Sequence, residues 1–254
     1  MIIRHSRVIY LTILIVSAAC TVLFTVSAWA STPFIIHDNL TSHPLGRHLE
    51  YCVDEEGSLT LDGIVSGNQA ARFLPVTTEY PSFGYSRAVH WLRLRTHNMA
   101  GKTVHWILDY NYPNIDHVES FIPGPGGYVR HEGGDSIPFD RREIRARSIA
   151  FPVTQEPGEA AIFLRVRSSG SITVPLTAHS REAFTAGAGN ETALLFLHYG
   201  IMLALALYNV FIFSSTREKS YLYLFLFTVS IALFSMVQNG LAFQYLWPRA
   251  VRWA

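Results

Sequence analysis

The run Ala193 to Phe213, ALLFLHYGIMLALALYNVFIF, constrains this chain more than any other stretch. It is 21 residues without a formal charge, about what an α-helix needs to cross a hydrocarbon layer of ~30 Å. A core helix of a soluble domain would show a polar face every 3.6 residues. Here the only strongly polar side chains are His198 and Asn209. They lie three helical turns apart and so share a face, which marks them as transmembrane packing residues, since polar groups in hydrocarbon turn toward other helices. Thr216-Arg217-Glu218-Lys219 forms a charged turn, and a second apolar run follows from Tyr221 to about Gln238. The pattern predicts a helical hairpin in a bilayer, spanning 193–213 and 221–238.

The first 30 residues read as a secretory signal or an uncleaved anchor. Arg4, His5 and Arg7 precede an apolar core from Val8 to Val26, and Ala28-Trp29-Ala30 has the form of a cleavage site. Either outcome exports the chain from Ser31 onward. The first hairpin helix then runs inward, Arg217 and Lys219 are cytoplasmic, and the second helix returns. Arg249 and Arg252 after the second run balance the basic residues of the turn, so orientation rests on the signal segment. The expected location is a bacterial inner membrane, with the main domain in the periplasm.

Between a leader, 31–47, and a short linker, 183–192, residues 48–182 show period-two patterning. Leu92 and Leu94 alternate with Arg93 and Arg95; Val104, Trp106 and Leu108 alternate with His105, Ile107 and Asp109; Ile162, Leu164 and Val166 alternate with Phe163, Arg165 and Arg167. Turn chemistry punctuates the strands at 98–102, at Pro123-Gly124-Pro125-Gly126-Gly127, at Gly133-Gly134 and at Glu156-Pro157-Gly158. About eight short strands at this spacing predict an all-β, antiparallel, jelly-roll-like sandwich followed by transmembrane α-helices, with room for a short helix over 59–67. Cys20 lies in the signal core, so Cys52 is a buried thiol with no disulfide partner in its own domain.

A net charge of +1 and the absence of a basic block exclude a nucleic-acid footprint. The chain also lacks G-x-S-x-G, H-E-x-x-H and P-loop signatures. Asp109, Asp116, Glu119, Asp135 and Asp140 could supply a carboxylate pair for glycoside hydrolysis, yet acidic loop residues are common, and no catalytic residue, cofactor or metal is expected. His43, with His48 or His131, could meet in space. The candidate ligand-binding residues are Arg93, Arg95, Arg165 and Arg167, which make a cationic patch if their strands are neighbours. Tyr110 and Tyr112, with Tyr85 or Trp91, could act as stacking platforms for a small molecule or a carbohydrate. The plainer roles are a solvated, ion-paired sheet face for the arginines and core packing for the rings.

Gly84-Tyr85, Trp91-Leu92-Arg93-Leu94, Leu108-Asp109-Tyr110, Gly134-Asp135, Phe151-Pro152 and Leu164-Arg165-Val166 with Ser168-Ser169-Gly170 resemble the type 2 extracellular domain of the bacterial seven-transmembrane receptors with diverse intracellular signalling modules (7TMR-DISM). Tyr199-Gly200-Ile201, Leu207-Tyr208-Asn209, Ser220-Tyr221-Leu222-Tyr223, Asn239-Gly240-Leu241-Ala242 and Gln244-Tyr245-Leu246-Trp247-Pro248 are similar to the opening of that family's seven-helix region. The resemblance implies a periplasmic sensor of carbohydrate or another small ligand, coupled through seven helices to a cytoplasmic output such as a diguanylate cyclase or histidine kinase. Only two of those helices and the start of the rest, 239–254, fall in this sequence, and no output module does. It is therefore expected to be a non-enzymatic part of a signal-transduction receptor, which associates with itself or with another membrane signalling protein. Two other readings are a membrane-tethered exported carbohydrate-active enzyme and an envelope assembly protein.

Overall fold

The computed structural model describes residues 31–66 and 73–251; the expected signal segment lies outside them. Thirteen strands and four α-helices are present among the described residues. Seven strands form one sheet: β1 (Phe34–Ile36), β3 (Leu49–Asp54), β4 (Leu74–Pro75), β6 (Val89–Asn98), β8 (His117–Gly124), β9 (Gly127–Gly133) and β11 (Gly158–Arg167), in the order β4-β3-β6-β11-β8-β9 with β1 beside the end of β6. Four strands form the second: β2 (Ser42–Pro44), β7 (Val104–Tyr110), β10 (Ile149–Gln155) and β13 (Leu176–His179), in the order β10-β7-β13-β2. β5 (Ser82–Tyr85) and β12 (Ser171–Thr173) make a separate ribbon. The pairings are antiparallel except for β1 with β6, which is parallel at Phe34↔Thr96.

The two sheets bury the alternating apolar positions against each other, as the period-two pattern requires. Leu92, Leu94, Ile162, Leu164, Val166 and Val118 face Trp106, Leu108, Tyr110, Ile149, Phe151, Val153 and Leu176 in one continuous core. The large sheet is also covered on its outer face. There Thr60 caps α1 (Leu61–Val65), accepting from Gly63 N at 3.3 Å, and Leu59, Ile64 and Phe73 close over Cys52, Trp91 and Phe163. Trp91, whose parity sets it among the arginines, is thereby 1% exposed and stacks on Phe121 at 5.7 Å.

The expected linker is helical. α2 (Arg181–Thr216) is one helix of 36 residues, roughly 54 Å long at 1.5 Å per residue. Ser180 Oγ accepts from Ala183 N at 3.1 Å, and Glu182 sits in the first turn, so the helix starts well before the apolar run despite Gly187 and Gly189. What carries it across the glycines is tertiary contact, with Phe184 packed on Ile107 and Ala150 of the small sheet. Arg217, in the left-handed conformation at φ 59°, ends α2, and α3 (Lys219–Gln238) runs back. A tight elbow at Gly240 leads into α4 (Leu241–Tyr245). α2 and α3 are both long and apolar enough to cross a membrane.

Candidate functional site

A cationic patch required the two arginine-bearing strands to be neighbours, and β6 and β11 do pair, with Arg93 opposite Phe163 and Arg165 opposite Trp91. The strands beyond them supply carboxylates that the alternation could not reveal. Glu50 of β3, 1% exposed, takes Arg93 on one oxygen at 2.6 Å and Arg95 on the other at 2.8 Å, and it also accepts Ser31 N. Glu119 of β8 is held between Arg165, at 2.8 Å, and Arg130 of β9, which also pairs with Glu132 at 2.5 Å. Arg93 lies 4.5 Å over the Phe73 ring. The result is a compensated ionic lattice rather than an open cationic patch, and only Arg167 of the four is exposed. Burial works against the charge of Glu119, but hydrogen bonds and charge from Arg165 and Arg130 outweigh it and hold its carboxyl below the usual value.

The rings are also accounted for. Tyr110 is fully buried and donates its hydroxyl to Thr173 O at 2.6 Å, so it offers no face for stacking. Tyr112 packs partly buried against the main core, while Tyr85 is 86% exposed. His43 and His48 do meet, with ring centroids 5.6 Å apart, and Phe34 stacks on His43. His117, Glu119 and Glu132 bring potential ligand atoms within 4.8 Å of one another, but the cation seated between the two carboxylates is the Arg130 guanidinium. Asp116 accepts from Ser168 Oγ and Ser169 N, and Asp140 pairs with Arg249 at 3.2 Å. These carboxylates are engaged in holding loops.

Two features remain that could do something. The first is a cleft of about 650 Å³ between the tips of the β8–β9 and β10–β11 hairpins. Ile122, Val129, Val153 and Ile162 form its walls; His131, Thr154, Gln155 and Glu159 provide polar atoms at its edge. Its size and its mix of apolar wall and few polar groups suit a small ligand. None of the six candidate ligand residues lines it.

The second is the junction of sandwich and helices, which is built from residues the sequence reading did not single out as a group. At the start of α2, Arg147 pairs with Glu191 and donates to Asn111 Oδ1 at 3.0 Å. At the end of α3, Asn114 donates to the backbone and side-chain oxygens of Gln238, at 3.2 and 3.1 Å, and Asn239 donates to Tyr199 OH of α2 at 3.1 Å. Gly240, at φ 73°, lies against Pro113 and Arg147 O. Beyond the elbow, Phe243 meets Phe139 edge-on at 6.0 Å, and Phe139 N donates to Pro248 O at 2.9 Å. Arg142 lies 4.9 Å from the Phe139 ring and 5.5 Å from Phe243, while donating to the carbonyls of Gly134, Ala146 and Ser148. Burial lowers its guanidinium to about 10. Asp135 beside it is raised to about 6, first by burial and then by Asp116. Both ends of the helical hairpin are thus fastened to the sandwich.

Asn209 bonds its own helix through Leu205 O at 2.8 Å, and His198 rests against Tyr199. Between the two helices, Tyr199 of α2 accepts from Asn239, the residue that caps α3.

The family model described as 7TMR-DISM extracellular 2 matches residues 46–180, and that described as 7TM diverse intracellular signalling matches residues 191–254. No curated protein sequence matches. Among solved structures, Ruminococcus gnavus beta-glucuronidase is similar over 56% of this chain and 23% of its own, at 14% identity and a TM-score of 0.31. An exo-beta-1,3-galactanase from Phanerochaete chrysosporium is similar over 55% of this chain and 28% of its own, at 13% identity and a TM-score of 0.27. This chain spans about a quarter of the length of those proteins, and at these scores the likeness does not bear on function.

Proposed function

Because the chain belongs to the 7TMR-DISM family of membrane sensory receptors, we propose that its sandwich is the periplasmic ligand-binding part of a bacterial inner-membrane signal-transduction receptor and that it passes occupancy to the membrane through α2. The observation that carries this reading is the continuity of α2. One 36-residue helix begins on the sandwich, at Phe184 and Glu191, and ends beyond the apolar run. A rigid helix fixed at one end to a sheet transmits a tilt or rotation of that sheet along its whole length. The return contact at Gly240 and Phe243 gives the sandwich a second grip on the same hairpin.

The ligand is a small molecule or carbohydrate fragment seated in the cleft between the β8–β9 and β10–β11 tips. No catalytic step is assigned to these residues. The outward faces of α2 and α3, which present Leu203, Phe211, Phe227 and Phe234, are completed by further helices of a receptor bundle, by a second copy or by another membrane signalling protein.

Reporter fusions test the topology: a fusion at Glu218 should report the cytoplasm and one after Trp247 the periplasm, and activity of both on the same side would end the reading. A thermal-shift screen of the full chain in lipid nanodiscs tests the ligand site. A stabilising sugar or other small ligand should lose its effect in Val129→Trp, which crowds the cleft from an exposed wall position, and should be recovered unchanged. Turnover of the ligand by this chain would make it an enzyme instead.

A further inference from the structure

Asp109 projects from β7 on the outer face of the small sheet, where alternation predicts a solvated side chain. Instead it is 6% exposed, because the first turns of α2 lie over it. One carboxylate oxygen, Oδ1, has no hydrogen-bond partner, and neither has Nδ1 of His179, whose Nε2 lies 3.7 Å from Asp109 Oδ2. The pair borders a cavity of about 190 Å³ between the sheet and α2. A buried carboxylate with an unsatisfied oxygen is costly when ionised and much less so when protonated. The helix it lies beneath is the one that continues into the membrane.

We propose that Asp109 and His179 form a proton-operated latch, which fastens the start of α2 to the sandwich as the surrounding medium is acidified. The latch needs only the contact between α2 and the small sheet, so it stands apart from the ligand cleft.

The groups that face the pair are few. Among the described residues lining the cavity, β7 gives Asp109, β13 gives His179, the segment before β5 gives Tyr80, α2 gives Glu191, and β2 adds Ser42 and Pro44; Arg147, from the segment before β10, acts from behind Glu191, with which it pairs. Burial raises Asp109 to about 6 and the Glu191 charge adds to this, while the Ser148 hydroxyl and Arg147 pull it back in part. When α2 lifts away, Asp109 is hydrated and returns toward the ordinary 3.8. The docked state therefore holds its proton at higher pH than the undocked state. Docking gains as pH falls below about 6, by up to about tenfold per unit, and the gain is complete near the ordinary carboxylate value. His179 opposes this, because burial lowers its pKa and the undocked state gains the proton as pH falls below 6.5. Its side chain is 18% exposed against 8% for Asp109, so its effect is the smaller and the net sign follows Asp109.

The test is hydrogen exchange of the full chain in nanodiscs between pH 8 and 4.5, corrected for intrinsic rates. Amides of residues 181–192 are compared with those of β6 and β11 in the same sample. Protection of 181–192 should rise about tenfold or more relative to the strands between pH 7 and 4.5. Asp109→Asn, which keeps the shape and stays neutral, should be well protected already at pH 7, should show no rise on acidification, and should lose protection only to the extent that His179 takes up its proton. His179→Gln should enlarge the wild-type rise. A ratio that stays flat in the wild type, or an Asp109→Asn chain that titrates like it, overturns the latch. If Asp109→Asn leaves β6 and β11 unprotected it has not folded, and the wild-type titration decides alone. Topology and ligand binding are read by separate assays, so failure of the receptor reading would leave this result standing.

Discussion

Gly240→Ala tests the grip of the sandwich on the returning helix. Gly240 sits at φ 73°, where a residue with a Cβ is strained by about 1–2 kcal/mol. A Cβ built there would lie 2.7 Å from Pro113 Cβ, 3.2 Å from Pro113 Cγ and 3.3 Å from Arg147 O. The first contact is too close to persist, and its neighbour is a proline ring on a loop held by Asn114 and Ile115, which cannot rotate out of the way. Overpacking of this kind costs about 1–3 kcal/mol. The substitution should therefore weaken elbow docking by about 2–5 kcal/mol in all. The assay is hydrogen exchange of residues 238–248 in the full chain in nanodiscs. Gly200→Ala serves as the control, because nothing lies within 4 Å of a Cβ at that position. The elbow should lose protection while the β6 and β11 amides keep theirs. If Gly240→Ala and Gly200→Ala differ by less than about 0.5 kcal/mol, the elbow is not seated on Pro113 and the second grip does not exist.

Trp91→Ala should cost about 3–5 kcal/mol in urea unfolding, as a large-to-small change at a position stacked on Phe121 and roofed by α1; a loss under about 1 kcal/mol would put Trp91 on an open surface. Glu119→Gln strips Arg165 and Arg130 of their shared carboxylate and should cost about 1–2 kcal/mol at pH 7, less than for a fully buried pair because both arginines are partly exposed. Since the folded state depresses this carboxyl below 4.5, the wild-type advantage should be complete above that pH and fade as pH falls through the folded value; an advantage that persists in full at pH 2 would refute the assignment. Asp135 shifts the other way, with its folded value raised to about 6, so ionisation costs stability above that pH. Asp135→Asn should accordingly melt higher than wild type at pH 8, by about 1 kcal/mol after allowing for solvent screening, with the difference gone below pH 4; equal melting at pH 8 would count against the shift.

Much of the sandwich was legible because a strand's side chains alternate strictly, so Leu92, Leu94, Ile162, Leu164 and Val166 declared the core face of β6 and β11 without reference to any other strand. The hairpin was legible for a similar reason: hydrocarbon thickness sets a length, and the apolar runs meet it. Alternation says nothing about what covers the other face. Trp91 shares its parity with Arg93 and Arg95, and only the cover of Leu59, Ile64 and Phe73 makes that outward position a buried one. Alternation set Arg93, Arg95 and Arg165 on outward faces, but neither the pairing of β6 with β11 nor the arrival of Glu50 and Glu119 from flanking strands to neutralise them is visible in it.

The junction was the least legible part. Two glycines between Thr185 and Asn190 read as a linker because local propensity disfavours helix there, but Phe184 on Ile107 and Ala150 and Arg147 on Glu191 keep that segment helical. Asp109 read as an outward strand residue and one of several carboxylates available for a pair, since nothing in the alternation of β7 announces that the helix starting at Arg181 will cover it. The sequence by itself determined which residues turn inward in each strand and which segments are apolar enough for a membrane, because both follow from short-range periodicity and length. Only the tertiary structure decided which outward faces are covered, which charges are compensated and where the helices grip the sandwich. Those outcomes depend on partners far apart along the chain, and the one-dimensional pattern carries no distance between them.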